Sequence, residues 1–326
     1  MKQSFLIIDK SITYPQHIMK HLSWLFLALL VLVACGQNEE ERKRITRQER
    51  IKLQREDSAA LKVAVMPTLD CLPLYVARQY QLFDTLGADV RLKFFTAQMD
   101  CDTALAGGSV EGSVTDLVRG ERLISRGTPL TYVTTTSSYW QLISNRNARI
   151  KELKQLYDKM LAMTRYSATD LLGDKAVDSV KIQPERVFRV QINDVNVRMN
   201  MMLNNEMDAA LMSEPQATAI RLAHGKVLMD SRQKDISLGV IAFRSNDIKD
   251  KNRKKQLEVF RRAYNMACDT INKYGVRHFS KLISDYCKVR QAVADSLPQN
   301  IHFNHIIAPR GKDIDRADNW LKGKSK

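Results

Sequence analysis

The chain has 326 residues, of which 44% are hydrophobic and 27% are charged, and its formal net charge is +15. This composition is globular and excludes a disordered chain or one built of several membrane spans, and the length predicts two lobes of roughly 130 to 150 residues. The positive charge alone fits nucleic acid or an anionic membrane, but aromatic content of 7% and the lack of a base-reading motif argue against nucleic acid.

An export signal is predicted near the N-terminus. The basic start Met19-Lys20-His21 precedes an apolar run over residues 22–33, which ends at Ala34-Cys35. The run is short for a membrane span, and this order of regions is typical of a signal peptide. Met19 is the better start, so we interpret residues 1–18 as preceding the true initiation codon. The alternative is a buried hydrophobic helix with an incidental cysteine.

The end of this segment, Leu32-Val33-Ala34-Cys35, resembles a bacterial lipobox. The resemblance implies that Cys35 is lipidated, becomes the first mature residue and anchors the protein on the periplasmic side of the cell envelope, because several acyl chains hold a protein stably on a membrane. Residues 37–58 are almost wholly polar, with both charges interspersed, and are predicted to be a tether. A basic helix bound to anionic lipid is the alternative, weakened by the interleaved acids.

From Leu61 onward, strand and helix patterns alternate in two series. In the first series we predict strands at 61–66, 89–95, 112–115 and 130–136, with helices through 74–83, 101–107 and 116–126. In the second we predict strands at 161–164, 187–192 and 209–212, with helices at 167–177, 195–203 and 215–223. A strand at 236–243 and further helices follow. The alternation predicts two α/β units, each with a mostly parallel sheet flanked by helices.

An internal repeat supports the two units. Residues 107–115 and 204–212 share a helix-ending turn, an acid (Glu111 or Asp208), two small residues and a buried strand. Glycine and asparagine at the turns tolerate the left-handed conformation that a helix C-cap needs. For the two acids themselves, ordinary turn chemistry is the favoured interpretation.

These segments resemble a known family. Residues 105–116 and 202–215, the latter closing with Ser213-Glu214-Pro215, look like the paired segments of ABC-transporter solute-binding proteins, in the thiamine-pyrimidine, alkanesulfonate and nitrate branch. The resemblance covers roughly residues 60–322. It implies a type II periplasmic binding protein fold, in which two α/β lobes close on a small solute by a hinge, and it implies a permease and its ATPase as partners. No cofactor is expected, and the protein is expected to be a monomer.

The resulting division has four parts: a signal peptide over residues 1–34, the lipidated cysteine and charged tether over 35–59, a first lobe of 60–136 plus 243–326, and a second lobe of 137–242.

A ligand is expected beyond the carboxyl ends of the strands, beside helix N-termini. The candidate side chains come from the loops there and are rich in hydroxyls and acids: Thr68, Asp70, Gln98, Asp116, Thr136, Ser138, Arg165, Tyr166, Ser167, Asp194 and Glu214. The acids favour a ligand with a cationic or NH-donating group, such as an aminopyrimidine or an amine, over a purely anionic one.

Several candidates have a second interpretation. Ser167 with Asp170 matches a capping box, although free N–H groups there would also suit a carboxylate or phosphate of the ligand. Asp116 and Asp194 could simply begin helices. Glu214 is the preferred ligand contact, because Pro215 preorganises the helix start beside it.

Four cysteines remain after Cys35. Cys71 and Cys101 follow the first two strands and are candidates for a disulfide, whereas Cys268 and Cys287 are predicted to be buried thiols. The six histidines show no convincing metal-ligand spacing, so no metal is predicted. Nothing resembles a nucleotide or hydrolase motif. An enzyme of pyrimidine metabolism and a sulfonate or nitrate binder remain alternatives to the binding protein.

Overall fold

The computed structural model describes residues 39–324, with side chains from Thr46 onward. The predicted signal peptide, Met19 and Cys35 lie outside the described residues. The chain divides into two compact units, Met1–Ala59 and Ala60–Lys326. In the first, helix α1 (Glu39–Ala59) is predominantly exposed from Thr46 onward. No helix among the described residues has the length and apolarity that a bilayer crossing requires.

The second unit contains two five-stranded sheets. The strands of the first sheet are β1 (Leu61–Val65), β2 (Val90–Phe94), β3 (Gly112–Asp116), β4 (Leu130–Thr135) and β10 (Gly239–Arg244). Those of the second are β5 (Gln141–Ser144), β6 (Lys159–Met163), β7 (Val187–Gln191), β8 (Ala209–Met212) and β9 (Lys226–Asp230).

The two sheets have the same topology. Their strand orders are β2-β1-β3-β10-β4 and β7-β6-β8-β5-β9, and in each sheet only the fourth strand is antiparallel to its neighbours. These fourth strands, β10 and β5, are the ones that follow a crossing from the opposite sheet. The prediction of two mostly parallel α/β units is therefore confirmed. We call the halves around the first and second sheets lobe I and lobe II.

Helices follow the strands as the alternation predicts. Before the second crossing they are α2 (Leu72–Gln79), α3 (Leu82–Thr85), α4 (Gln98–Ala106), α5 (Leu117–Ser125), α6 (Ala168–Ser179), α7 (Val195–Leu203) and α8 (Gln216–Leu222). After it come α9 (Lys251–Tyr274), α10 (Ser280–Cys287), α11 (Gln291–Asp295) and α12 (Gly311–Lys324).

Three details differ from the sequence predictions. Strands β5 and β9 were not predicted. Strand β10 begins at Gly239 and pairs with lobe I, so the second crossing ends a few residues before the predicted boundary at 242/243. The helix expected through residues 74–83 breaks at Gln81, which has a left-handed φ of 52°, and this leaves Tyr80 exposed instead of in the buried stripe.

Helix α9 shows how sequence pattern becomes packing. The Asp250 carboxylate accepts hydrogen bonds from the N–H groups of Asn252 and Arg253, which satisfies two orphan donors of the first turn. The helix ends at Gly275, whose φ of 81° a residue with a side chain rarely adopts. Between these ends one apolar stripe packs into the core of lobe I: Leu257, Phe260, Ala263, Tyr264, Ala267, Cys268 and Ile271.

The repeated acids have equivalent structural roles. Glu111 accepts a hydrogen bond from the backbone N–H of Lys62, the second residue of β1, at 2.7 Å. Asp208 accepts one from the N–H of Met160, the second residue of β6, at 2.9 Å. Each acid thus ties the turn before one strand, β3 or β8, to the neighbouring parallel strand of its sheet, which agrees with the turn interpretation.

The structure contradicts the expected disulfide between Cys71 and Cys101, because both are free and buried thiols. Cys71 packs with Val63 and Val65, whereas Cys101 packs with Ala64 and Met66. Alternating residues of a strand point to opposite faces of the sheet, so the two thiols lie on opposite sides of β1. The prediction that Cys268 and Cys287 are buried thiols is confirmed.

Candidate functional site

A polar cavity lies between the two lobes, where the carboxyl ends of β1, β3, β6 and β8 face one another. Its volume is about 60 Å³, room for about four or five water molecules. The N-terminal ends of α4, α6 and α7 also reach it. The lining residues are Met66, Thr68, Asp70, Gln98, Val114, Thr115, Asp116, Ser138, Trp140, Thr164, Ser167, Thr169, Asn193, Val195, Arg198, Met212 and Ser213.

The lining contains two carboxylates, of which the first, Asp70, is partly buried. It sits in a single 3₁₀ turn after β1 and accepts a hydrogen bond from the Thr136 hydroxyl at 3.3 Å. Burial raises the pKa of this carboxyl, while hydrogen bonds from the hydroxyls of Thr68, Thr136 and Ser138 oppose the rise. Thr136 and Ser138 belong to residues 136–140, the first connection between the lobes. This connection therefore supplies two of the three hydroxyl groups that contact Asp70.

Asp116, the second carboxylate, lies at the boundary between the lobes. As the last residue of β3 it caps α5, accepting the Arg119 N–H at 3.1 Å, and it lines the cavity together with Ser167 and Thr169 at the start of α6 in lobe II. Burial raises its pKa to about 6, against the lowering effect of the Arg119 charge. Asp116 therefore lies where the N-terminal ends of two helices, one from each lobe, reach the same cavity.

The face of α5 that begins at Asp116 makes further contacts with lobe II. The buried Arg119 forms an ion pair with Asp102 and donates from Nη1 to the Arg165 carbonyl at 3.5 Å. One turn later, the Arg122 guanidinium lies 4.1 Å from the centre of the Tyr166 ring, within the range of a cation–π contact. These contacts hold the lobes together beside the cavity.

Arg198 of α7 was not predicted as a site residue, yet it lines the cavity with 3% of its surface exposed. Its Nε donates to the Ile192 carbonyl at 3.0 Å, its Nη1 to the Leu211 carbonyl at 2.9 Å and its Nη2 to the Thr164 hydroxyl at 2.5 Å. Burial lowers the pKa of the guanidinium to about 10, and the nearby Asp194 opposes the change. No local motif marks this arginine, because its partners lie on three separate strand ends.

Six of the predicted residues line the cavity: Thr68, Asp70, Gln98, Asp116, Ser138 and Ser167. Gln98 donates to the Thr115 hydroxyl at 3.0 Å and so connects two strand ends of lobe I. Ser167 caps α6, since its hydroxyl accepts the Thr169 N–H at 3.1 Å. The other half of the expected capping box differs, because Asp170 accepts from the Tyr166 N–H at 2.9 Å instead.

The other predicted residues do not line the cavity. Thr136 stands behind Asp70, and Asp194 caps α7, accepting from two backbone N–H groups at 2.8 and 2.9 Å. The side chain of Arg165 is exposed, and Tyr166 packs under Arg122.

Glu214, the preferred ligand contact in the sequence, is held in a network of the protein's own groups. Its carboxylate accepts from the Tyr139 hydroxyl at 2.8 Å, the Arg221 guanidinium at 2.7 Å and the Thr218 hydroxyl at 2.7 Å. It therefore has a structural role in this conformation, and the preceding Ser213 lines the cavity instead.

A larger cavity of about 460 Å³ lies on the surface of lobe I, beside the ring of Phe94 and the ring of Tyr286. The ring centres are 5.3 Å apart, and the Arg78 guanidinium lies 5.3 Å from the centre of the Phe94 ring. Unlike this surface cavity, the cavity between the lobes has Asp116 and Arg198 buried in its lining and receives residues from both sheets, so we take that one as the candidate site. Among the described residues no group of histidines, cysteines and acids could hold a metal ion.

Comparison with solved structures places this architecture in the two-lobed periplasmic binding protein fold. The alkanesulfonate-binding protein of Xanthomonas axonopodis pv. citri, bound to MOPS, is 14% identical, with a TM-score of 0.68 over 82% of this chain and 92% of that one. The zinc-bound ligand-binding component of an ABC-type import system of Staphylococcus aureus is 15% identical, with a TM-score of 0.68 over 82% of this chain and 92% of that chain. The periplasmic nitrate-binding protein of Synechocystis PCC 6803 is 15% identical, with a TM-score of 0.62 over 72% and 68%.

The family is shown by the sequence itself. The family described as NMT1/THI5 like matches residues 68–274, well over half of the chain, and this protein therefore belongs to it. The match runs from the first loop of the cavity to the end of α9, so it contains the whole second sheet and every strand of the first sheet except β1. No curated protein matches the chain.

Proposed function

We propose that this protein is a solute-binding protein of an ABC importer, and that it captures a small cationic or NH-donating solute, of the amine or aminopyrimidine kind, between its lobes. The observation that carries this proposal is the pair of carboxylates, the partly buried Asp70 and the buried Asp116, in one cavity formed by both sheets. The comparisons support the binding class, since proteins of the same fold include components of import systems.

The electrostatics of the cavity support the class of solute. Burial raises the pKa of both carboxyl groups, which means that their charges lack full compensation in this state. A cation or an NH donor supplies that compensation, whereas an anion at contact distance from either carboxylate is repelled by about 1 to 4 kcal/mol.

We expect the lobes to separate for capture, because about 60 Å³ of space between lobes that contact each other beside the cavity is small for an organic solute. The crossings at residues 136–140 and 231–238 are the connections about which such a hinge would bend. A solute that contacts both lobes favours the closed form by the difference between its affinities for the two forms. The closed form would then dock on a permease that is driven by an ATPase.

The site of action follows from the N-terminal segment. We propose that Cys35 is lipidated and that the mature protein is a monomer tethered on the periplasmic side of the envelope. The helix Glu39–Ala59 is rich in charged residues and predominantly exposed from Thr46 onward, which supports its role as a spacer. We propose the lobe boundaries that the sequence predicts, except that lobe II ends before Gly239 instead of at residue 242.

A sulfonate or nitrate binder is the second candidate, and the buried Arg198 in the lining favours it. The Arg198 guanidinium, however, already donates to two carbonyls and a hydroxyl. The pKa values of both carboxyl groups are raised by burial, and neither Asp70 nor Asp116 forms an ion pair within the part of the chain that the structure describes. A cationic or NH-donating solute therefore fits the unsatisfied groups better.

Titration calorimetry and thermal unfolding test the proposal on the folded chain with amines, 4-aminopyrimidines, sulfonates, nitrate and amino acids. A true solute at a hundredfold excess over its Kd stabilises the protein by about 2.7 kcal/mol. The Asp70→Asn variant is expected to weaken binding at least tenfold. The control Glu214→Gln removes another buried carboxylate outside the cavity and should keep the affinity. Binding of no amine or aminopyrimidine would contradict the proposal.

A further inference from the structure

The lobes also contact each other at the side of the cavity that lies farthest from the two crossings. The crossings join strands at one edge of each sheet, β4 and β10 in lobe I and β5 and β9 in lobe II. The opposite edge strands are β2 and β7, and both end at the cavity because they run parallel to β1 and β6. The loops after β2 and β7 therefore lie where the lobes part most widely if the crossings act as a hinge.

Backbone contacts join these two loops. Ala97 of lobe I and Asp194 of lobe II face each other in an isolated antiparallel bridge. Beside the bridge, the Val195 N–H of lobe II donates to the Thr96 carbonyl of lobe I at 3.4 Å. The structure thus shows the lobes closed at the side opposite the hinge.

Two side-chain amides of lobe II bind main-chain carbonyls of lobe I near this bridge. Asn196 Nδ2 in α7 donates to the Cys287 carbonyl at the end of α10, at 3.2 Å. Gln216 Nε2 in α8 donates to the Pro67 carbonyl after β1 at 2.6 Å, and it also donates to Asn196 Oδ1 at 2.9 Å. The two amides therefore bind each other and two separate segments of lobe I.

We propose that Asn196 and Gln216 act as a latch between the lobes: they favour the closed form from outside the cavity and so determine how quickly a solute enters and leaves. Neither residue lines the cavity, and their contacts involve only groups of the protein itself. The latch therefore acts whichever solute is bound. Its effect on a solute rests on the proposed function, because a solute held between closed lobes leaves only after they separate.

Two backbone N–H groups report on the latch without any solute, because their acceptors lie in the opposite lobe. The Leu69 N–H of lobe I donates to the Glu214 carbonyl of lobe II at 2.8 Å, and the Val195 N–H donates to Thr96 as described above. Hydrogen–deuterium exchange of short peptides that contain Leu69 or Val195, measured by mass spectrometry on the full chain, therefore reports the separation of the lobes.

The test compares the unmodified chain with two variants of Asn196. Asn196→Ala removes both the donor to lobe I and the acceptor of Gln216. Asn196→Asp removes the donor but keeps the acceptor, and the helix dipole favours an acid in the first turn of α7. The matched control is Asn272→Ala: the Asn272 side chain donates to the Phe303 carbonyl at 2.7 Å and accepts the Phe303 N–H at 3.0 Å, entirely within lobe I.

We expect exchange at Leu69 and Val195 to become about fivefold faster in both Asn196 variants, since a factor of this size corresponds to one net hydrogen bond. Asn272→Ala should leave both amides unchanged. Unchanged exchange in a folded Asn196 variant, an equal increase in the control, or an increase confined to Val195, which adjoins the substitution, would overturn the inference. So would exchange of both amides in the unmodified chain at the rate of an unprotected amide. If one Asn196 variant does not fold by circular dichroism, the other decides.

Dissociation of n-butylamine and 4-aminopyrimidine, followed by the fluorescence of Trp140 in the cavity lining, separates the latch from the proposed function. Dissociation should be severalfold faster from Asn196→Ala and unchanged from Asn272→Ala. Unchanged dissociation despite faster amide exchange would overturn the effect on the solute. If amide exchange responds but the unmodified chain binds neither probe, the latch is supported and the proposed solute class is wrong. If a probe binds but amide exchange does not respond, the latch fails and the proposed function stands.

Discussion

Replacing Asp116 with asparagine is expected to make the folded protein more stable at neutral pH. Burial raises the pKa of this carboxyl from 3.8 to about 6, so the ionised form is held in the folded state at a cost. Each pKa unit corresponds to about 1.4 kcal/mol, which sets the cost at about 3 kcal/mol. Asparagine has nearly the same shape, and its Oδ1 can still accept the Arg119 N–H.

The sign of the pH dependence follows from linkage. Below about pH 4 the carboxyl is protonated in both the folded and the unfolded chain, so its charge has no effect on unfolding. As the pH rises, the unfolded chain ionises first, and the free energy of unfolding falls until the folded carboxyl also ionises near pH 6. Asparagine does not titrate. The difference in free energy of unfolding between Asp116→Asn and the unmodified chain should therefore increase from pH 4 to pH 6 and stay constant at higher pH. The altered hydrogen bonds add a contribution of about 1 kcal/mol that does not depend on pH.

Urea denaturation followed by circular dichroism, at half-unit steps from pH 4 to pH 7.5, measures this difference. The control is Asp250→Asn, because hydrogen bonds from the N–H groups of Arg253 and Asn252 lower the pKa of the exposed Asp250. Because its folded pKa lies below 3.8, its difference from the unmodified chain should change in the opposite direction only near the acid end of the range and stay flat above about pH 5. An Asp116→Asn difference that is flat across the range, or that declines as the pH rises, would refute the reasoning.

Three further outcomes are expected. Glu214→Gln should lower the free energy of unfolding by about 3 kcal/mol, because it breaks a buried ion pair, yet leave the solute affinity within about twofold, as denaturation and calorimetry would show. Arg198→Ala should destabilise by about 3 kcal/mol or more in the same denaturation assay, since the buried carbonyls that it serves lose their donors. When the unfolded chain is alkylated, Cys71 and Cys101 should be modified to the same extent with and without prior reduction, as measured by peptide mass. Cysteines that react only after reduction would contradict the free thiols in the structure.

Local patterns were enough to predict the α/β architecture. Alternating apolar segments locate most strands and helices, and the stripe that begins at Leu257 in α9 is visible in the sequence because one helix face is buried throughout. The paired acids Glu111 and Asp208 mark the repeat, since each binds backbone close to it in the fold. By contrast, β5 and β9 are short, and their placement depends on pairing with distant strands, which no local pattern reports.

The sequence by itself determined two α/β lobes and the loops that meet between them, because apolar periodicity and turn residues act over a few neighbouring positions. Only the tertiary structure decided which side chains of those loops face the cavity. Ser213 lines it while Glu214 turns to Arg221, and the unforeseen Arg198 lines it from α7. The reason is physical: the direction of a polar side chain at a strand end depends on the partners that satisfy it when buried, and here those partners come from distant parts of the chain.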